Sequence, residues 1–158
     1  AIKEKHIAGA AIDVFPVEPE KNGDVFASPL QGLSNVLLTP HIGGSTEEAQ
    51  ENIGEDVGIK LYQYLERGVS NGSHTIPSLS LPPVDGAHRI LHIHKNVPGV
   101  LGAINTLLSK NKINIVGQYL KTNDEIGYVV LDVDSKLSKQ AMTLLKEVKE
   151  TIRVRMLY

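Results

Sequence analysis

From Arg89 to Tyr158 the hydrophobic period switches repeatedly between that of a strand and that of a helix, and few folds accommodate the order in which it does so. Arg89–His94 alternates, with Leu91 and Ile93 on one face and His92 and His94 on the other. Pro98 then opens a helix whose apolar stripe is Val100, Leu101, Ile104, Leu107 and Leu108. Ile113–Thr122 reads as a strand, turned at Asn123-Asp124 into Tyr128–Val133, where Val129, Leu131 and Val133 point inward. A second helix spans about Ser138–Glu150, carrying Ala141, Leu144, Leu145 and Val148, and Ile152, Val154 and Met156 form a last strand. The order is βαββαβ, the ferredoxin-like split motif. Two helices cover one face of such a sheet, so the other face is expected to be solvated or paired with a second copy.

The first third of the chain has a different grammar. Ala1–His6 reads as the end of a helix, and the chain is read as a piece of a longer protein. Ala8–Val14 is small and apolar, as a strand buried on both faces is. Two prolines, Pro16 and Pro19, force extended backbone just past Asp13. Lys21–Ser34 is rich in turn formers and reads as a surface loop pinned by Phe26 and Leu30. Asn35–Thr39 is a second buried strand, and it delivers His41. Parallel pairing of the two strands would gather Asp13, Glu18 and His41 beyond their carboxyl ends, where ligands bind in open α/β sheets. Imidazole is the side chain best suited to move a proton near neutral pH. The residues alone leave a second reading open, in which Asp13 caps a turn and Glu18 is a solvated charge.

Ser45–Arg67 repeats apolar residues at Ala49, Ile53, Val57, Leu61 and Leu65, with Ser45 and Glu48 spaced as a capping box and Gly68 as a stop. Gly54 and Gly58 inside it suggest close packing against another backbone. Gly68–Ala87, with glycines, prolines and serines and no period, reads as a linker. The fold class is therefore α/β in two parts, with segments 1–44, 45–68, 69–87 and 88–158 as strand-bearing piece, connecting helix, linker and βαββαβ unit. A net charge of -2 gives no sign of a nucleic-acid or anionic-membrane partner, and the absence of cysteine removes disulfides and thiolate sites. His92 and His94 could suggest a metal pair, but no third ligand accompanies them, so no metal is expected.

The segments Ala11–Pro19 (AIDVFPVEP) and Leu38–Thr46 (LTPHIGGST) resemble the D-2-hydroxyacid dehydrogenases. Together with His92–Leu101 (HIHKNVPGVL) and the ending Ile152–Tyr158 (IRVRMLY), they resemble the members of that family that carry an ACT regulatory domain. The resemblance implies that residues 1–44 end a Rossmann-like NAD-binding domain and that residues 88–158 are an ACT unit. It makes His41 the catalytic acid/base, Glu18 its carboxylate partner, and Asp13, His41, Gly43 and Gly44 the neighbours of the NAD cofactor. Gly43-Gly44 matches the family's hinge between nucleotide and substrate domains, and Gly86-Ala87 stands where the family has paired glycines. It implies 3-phosphoglycerate as substrate, L-serine as effector at His94, Asn96 and Asn114, a homo-oligomer formed through ACT–ACT contact and tetrameric in the parent, and a cytoplasmic location. For the effector, amide side chains supply both donors and acceptors, and free N–H groups at the Pro98 helix favour a carboxylate. Asn96 as a helix cap and Asn114 as a strand-edge residue remain the plain alternatives.

The sequence departs from the family in one large respect. It contains no G-x-G-x-x-G phosphate loop, so it carries part of an active site and is not expected to catalyse alone. A non-catalytic amino-acid-binding module and a D-2-hydroxyacid dehydrogenase of other specificity are the competing readings.

Overall fold

The computed structural model describes residues 1–21 and 23–158. They divide into two units, Ala1–Gly54 and Glu55–Tyr158.

In the first unit β1 (Ala10–Ile12) and β2 (Val36–Leu38) form a parallel ladder, with Ala10 beside Val36 and Ile12 beside Leu38. Both strands are shorter than their apolar runs, and neither is buried on both faces within this unit: Leu37 is 62% exposed. The ladder continues past its ends through the amide of Thr39, which donates to the carbonyl of Ile12 at 3.0 Å. Gly9 is needed where the strands meet, because a Cβ there would lie 2.7 Å from the carbonyl oxygen of Asn35. Phe15 packs edge-on against Phe26 at 4.7 Å between ring centroids, which pins the loop from Lys21 onward. Ala1–His6 forms hydrogen-bonded turns in place of the expected helix end.

Helix α1 (Glu47–Arg67) starts two residues later than its pattern suggests. Its cap is Thr46, whose Oγ1 accepts the amide of Ala49 at 3.1 Å, and not Ser45. No residue of α1 is buried: its stripe at Ile53, Val57, Leu61 and Leu65 remains about half exposed. A Cβ at Gly54 or Gly58 would meet nothing within 4 Å, so the close packing expected of these glycines is not seen.

The second unit holds β3 (Ala87–Lys95), α2 (Val100–Lys110), β4 (Ile115–Thr122), β5 (Ile126–Asp134), α3 (Ser138–Lys146) and β6 (Thr151–Leu157). The sheet is antiparallel with strand order β4-β5-β3-β6. The central strands β3 and β5 are buried on both faces, which their near-continuous apolar runs permit. On one face Ile90, Val129, Leu131 and Val133 meet Val100, Ile104, Leu108, Ala141 and Leu145 of the two helices. Helix α3 is shorter than expected, because the chain turns at Glu147–Glu150 to enter β6.

The opposite face is neither solvated nor left for a second copy. Leu91, Tyr128 and Val130 are at most 2% exposed, covered by Tyr64, Ile76, Leu79 and Leu81. The aperiodic segment after α1 thus folds back on the sheet. Buried polar pins hold it there. The Tyr128 hydroxyl donates to the Gly68 carbonyl at 2.6 Å. Arg89 pairs with Asp132 at 2.7 Å and donates to the carbonyls of Arg67 and Pro82. Ser70 ties Pro77 to Leu79. Gly68 combines a φ of 73° with a close approach, since a Cβ would lie 2.4 Å from Leu91 Cδ2.

Candidate functional site

The parallel ladder brings Asp13, Glu18 and His41 together at its carboxyl edge. Asp13 directly follows β1, and His41 follows β2 after Thr39-Pro40. Asp13 Oδ1 accepts the Thr39 hydroxyl and the backbone amide of His41, the latter at 3.1 Å. These bonds hold His41 in the left-handed region, at a φ of 50°, which a residue with a Cβ adopts only under local constraint. Glu18 is oriented in turn by the Phe15 amide, which donates to its Oε1 at 2.8 Å.

His41 Nδ1 lies 2.9 Å from both oxygens of Glu18. A carboxylate only accepts, so Nδ1 carries the proton and Nε2 is left to exchange one. The Glu18 hydrogen bond, and then its charge, raises the His41 pKa above the ordinary histidine value, against the opposing effect of desolvation. The Phe15 amide and then His41 hold Glu18 below the usual carboxylate range. The Thr39 hydroxyl is the main cause that lowers Asp13. The His41 side chain is 44% exposed, so this edge is open to a ligand. Gly43 and Gly44 follow the histidine with room to spare: a Cβ would meet nothing within 4 Å at Gly43 and only Ile53 Cδ1, at 4.0 Å, at Gly44.

The three residues expected to hold an effector fall in two places. His94 and Asn96 lie at the end of β3, beside the β4–β5 turn. Asn96 Nδ2 donates to the Asn123 carbonyl at 2.7 Å, and the Asn96 amide donates to the Glu125 carbonyl. Asn114 precedes β4 at the opposite end of the sheet, in a shallow depression with Asn105, Ser109 and Lys112. His94 is level with Gly127 of β5, and Ile115 is level with Val133. That interval along a strand is about 20 Å, so one chain does not bring Asn114 to His94.

Two features of the β3 end escape a motif-based reading. His92 is fully buried, and its Nε2 lies 2.9 Å from the Thr151 hydroxyl. Burial lowers its pKa to about 4. Gly127 is the seat of the His94 ring, since a Cβ there would lie 2.2 Å from His94 Cε1. A glycine in an otherwise apolar strand is the sequence signal for such a contact.

Each of these two regions is similar to a known family model. Residues 1–43 match the model of the D-isomer specific 2-hydroxyacid dehydrogenase, NAD binding domain, and residues 90–155 match the AHAS small subunit-like ACT domain. The chain is 50% identical over its full length to D-3-phosphoglycerate dehydrogenase of Escherichia coli K12, of which it covers 39%. It is 46% identical to D-3-phosphoglycerate dehydrogenase of Dictyostelium discoideum, of which it covers 38%. The chain thus spans about two fifths of the length of these relatives. Among solved structures, the ACT domain from GTP pyrophosphokinase of Chlorobium tepidum aligns with a TM-score of 0.41 and 22% identity, over 47% of this chain and 100% of that one.

Proposed function

We propose that this chain supplies the proton-transfer histidine and the effector-sensing unit of an NAD-dependent D-3-phosphoglycerate dehydrogenase. Such an enzyme oxidises 3-phosphoglycerate to 3-phosphohydroxypyruvate, the first step of L-serine synthesis. The observation that carries the reading is the Asp13–Glu18–His41 cluster at the carboxyl edge of a parallel ladder, in a chain that matches these dehydrogenases over its full length.

With Nδ1 committed to Glu18, His41 Nε2 takes the proton of the substrate C2 hydroxyl as the C2 hydride departs. Glu18 fixes the tautomer and stabilises the imidazolium that forms. Asp13, through the His41 amide, fixes the backbone from which the ring projects. The edge fits the nicotinamide end of NAD, because Asp13, His41 and the uncrowded Gly43-Gly44 lie where a dinucleotide crosses an open sheet. NAD, when bound, supplies the acceptor for the hydride. The sequence offers no glycine loop for the pyrophosphate, so the cofactor is held by this chain only in part.

In the ACT unit His94, Asn96 and Asn114 serve L-serine. The separation of Asn114 from His94 within one chain supports a site shared between two copies, and therefore a homo-oligomer; the family resemblance implies a tetramer in the parent. The edge strand β4, with Val116 62% exposed, offers a surface for that pairing. Serine then acts by binding one arrangement of the domains better than another. No helix among the described residues is long and apolar enough to cross a membrane, which is compatible with a cytoplasmic enzyme.

The test uses the full-length dehydrogenase. His41→Asn is expected to lower kcat by about 10²-fold or more, the scale of general acid–base catalysis. A near-normal rate would overturn the assignment.

A further inference from the structure

The turn that delivers His41 is closed by a side chain to which the motif gives no chemistry. Ile12 of β1 pairs with Leu38 of β2, so the next pair in the same register is Asp13 beside Thr39. The Thr39 amide still belongs to the ladder, since it donates to the Ile12 carbonyl at 3.0 Å. The next residue, Pro40, has no N–H, and the backbone ladder ends there. The first amide beyond it is that of His41, and it goes to a side chain, Asp13 Oδ1, at 3.1 Å. The Thr39 hydroxyl is bonded to that same oxygen. Asp13 is held below the usual carboxylate range, chiefly by this hydroxyl, so it is ionised and only accepts; Thr39 is the donor. One carboxylate oxygen thus gathers the two donors that flank Pro40. Among the described residues Thr39 and His41 are the donors to Asp13, so the hydroxyl is what aims the carboxylate before the His41 amide reaches it. The aim matters because His41 sits at a φ of 50°, a conformation that a residue with a Cβ leaves unless its surroundings hold it.

We propose that Thr39 is a positioning residue for proton transfer at His41: its hydroxyl fixes the Asp13 carboxylate, and through the His41 amide that carboxylate sets the direction in which the imidazole projects. The inference rests on the proton-transfer reading given above and deepens it by one residue. Thr39 makes no hydrogen bond to the ring, and it acts only through Asp13 and the backbone. The ring has its own anchor in Glu18, 2.9 Å from Nδ1. That anchor fixes the tautomer, whereas the turn fixes where Nε2 points. A misplacement of about 1 Å at a reacting group is enough to cost rate. Valine matches threonine in shape and in its branched Cβ, so it keeps the strand end and removes only the donor. Serine keeps the donor and removes only a methyl group.

The test is steady-state kinetics of the full-length dehydrogenase with NAD and 3-phosphoglycerate, comparing Thr39→Val, Thr39→Ser, Asp13→Ala and the double variant, with His41→Asn as control. Thr39→Val should lower kcat roughly three- to tenfold, the scale of one hydrogen bond, with KM nearly unchanged. Thr39→Ser should restore most of the rate. In the Asp13→Ala background Thr39→Val should cost nothing more, because the hydroxyl has lost the group it acts through. The pH profile supplies a readout that a general loss of structure does not move. His41 must be neutral to take the proton, so the acid limb of kcat/KM follows its pKa. Glu18 and Asp13 are the charged groups that raise that pKa, Glu18 most. A ring held less well against Glu18 titrates lower, so in Thr39→Val the limb should move toward acid. A normal rate in Thr39→Val, a change in KM alone, a loss with the limb unmoved, a serine variant as slow as valine, or losses that add to those of Asp13→Ala would each overturn the inference. If His41→Asn is still slow in that case, the proton-transfer reading stands without Thr39. If His41→Asn runs at a near-normal rate, that reading fails and the role of Thr39 falls with it.

Discussion

His41 and His92 show how one side chain is put to opposite uses in the two units. His41 stands on an open edge, donating hydrogen bonds to Asp13 and to Glu18, and its pKa is raised. His92 lies in the core between sheet and helices, and burial lowers its pKa to about 4. The first histidine is made by partners and the second by exclusion of water. The scaffolds differ accordingly. The ladder that aims His41 is three residues long on each strand and leaves Leu37 mostly exposed. The sheet that holds His92 has central strands of nine residues with both faces covered. The proton-transfer role proposed for His41 requires it to meet a substrate, and its edge is exposed. A neutral imidazole in a core is kept neutral where packing excludes water.

The sharpest way to break this contrast is to attack both scaffolds and compare. Asp132→Ala leaves Arg89 charged and buried, and it should cost about 3–5 kcal/mol in denaturant unfolding of the second unit. Leu37→Ala in the exposed ladder should stay within about 0.5 kcal/mol. Equal effects would mean that the buried ion pair does not hold the cover against the sheet.

The pH dependence of stability separates the two histidines next. The folded-state pKa of His92, about 4, lies below the ordinary 6.5 of the unfolded chain. Above pH 6.5 both states leave it neutral and it contributes no slope. As pH falls toward 4 the unfolded chain takes up a proton that the folded chain refuses, so stability declines by a total of about 3 kcal/mol. His92→Phe should remove this part of the decline in matched denaturant titrations. An unchanged slope would show that His92 is not buried in its neutral form.

The smallest effect concerns His41. Glu18→Gln removes the charge and leaves only a neutral amide oxygen as acceptor, so the imidazole should titrate closer to the ordinary value, read from its C–H proton shifts. A titration that does not move would dissolve the Glu18–His41 pair.

Much of this was legible in residue pattern. Periodicity located all four strands and both helices of the βαββαβ unit, because each buries one regular set of side chains. Apolar runs ending at Asp13 and before His41 located the parallel pair. Three features were not legible for definite reasons. The helix cap is Thr46 because the turn at Gly43–Ser45 places its hydroxyl, not that of Ser45, under the Ala49 amide. The separation of Asn114 from His94 follows from sheet register, which no local window contains. The cover formed by Ile76, Leu79 and Leu81 has no period, since its side chains reach the sheet from an extended, turning chain.

By itself, then, the sequence determined which residues could do proton chemistry and the order in which strands and helices follow one another. Both are local properties, of side-chain type and of hydrophobic period. Tertiary structure alone decided what each polar group faces. It paired His41 with Glu18, buried His92 against Thr151, and turned an apparent linker into the second wall of a core. Those outcomes depend on which distant segments meet, and it is that meeting, through burial and hydrogen-bond geometry, that sets tautomer, charge and exposure.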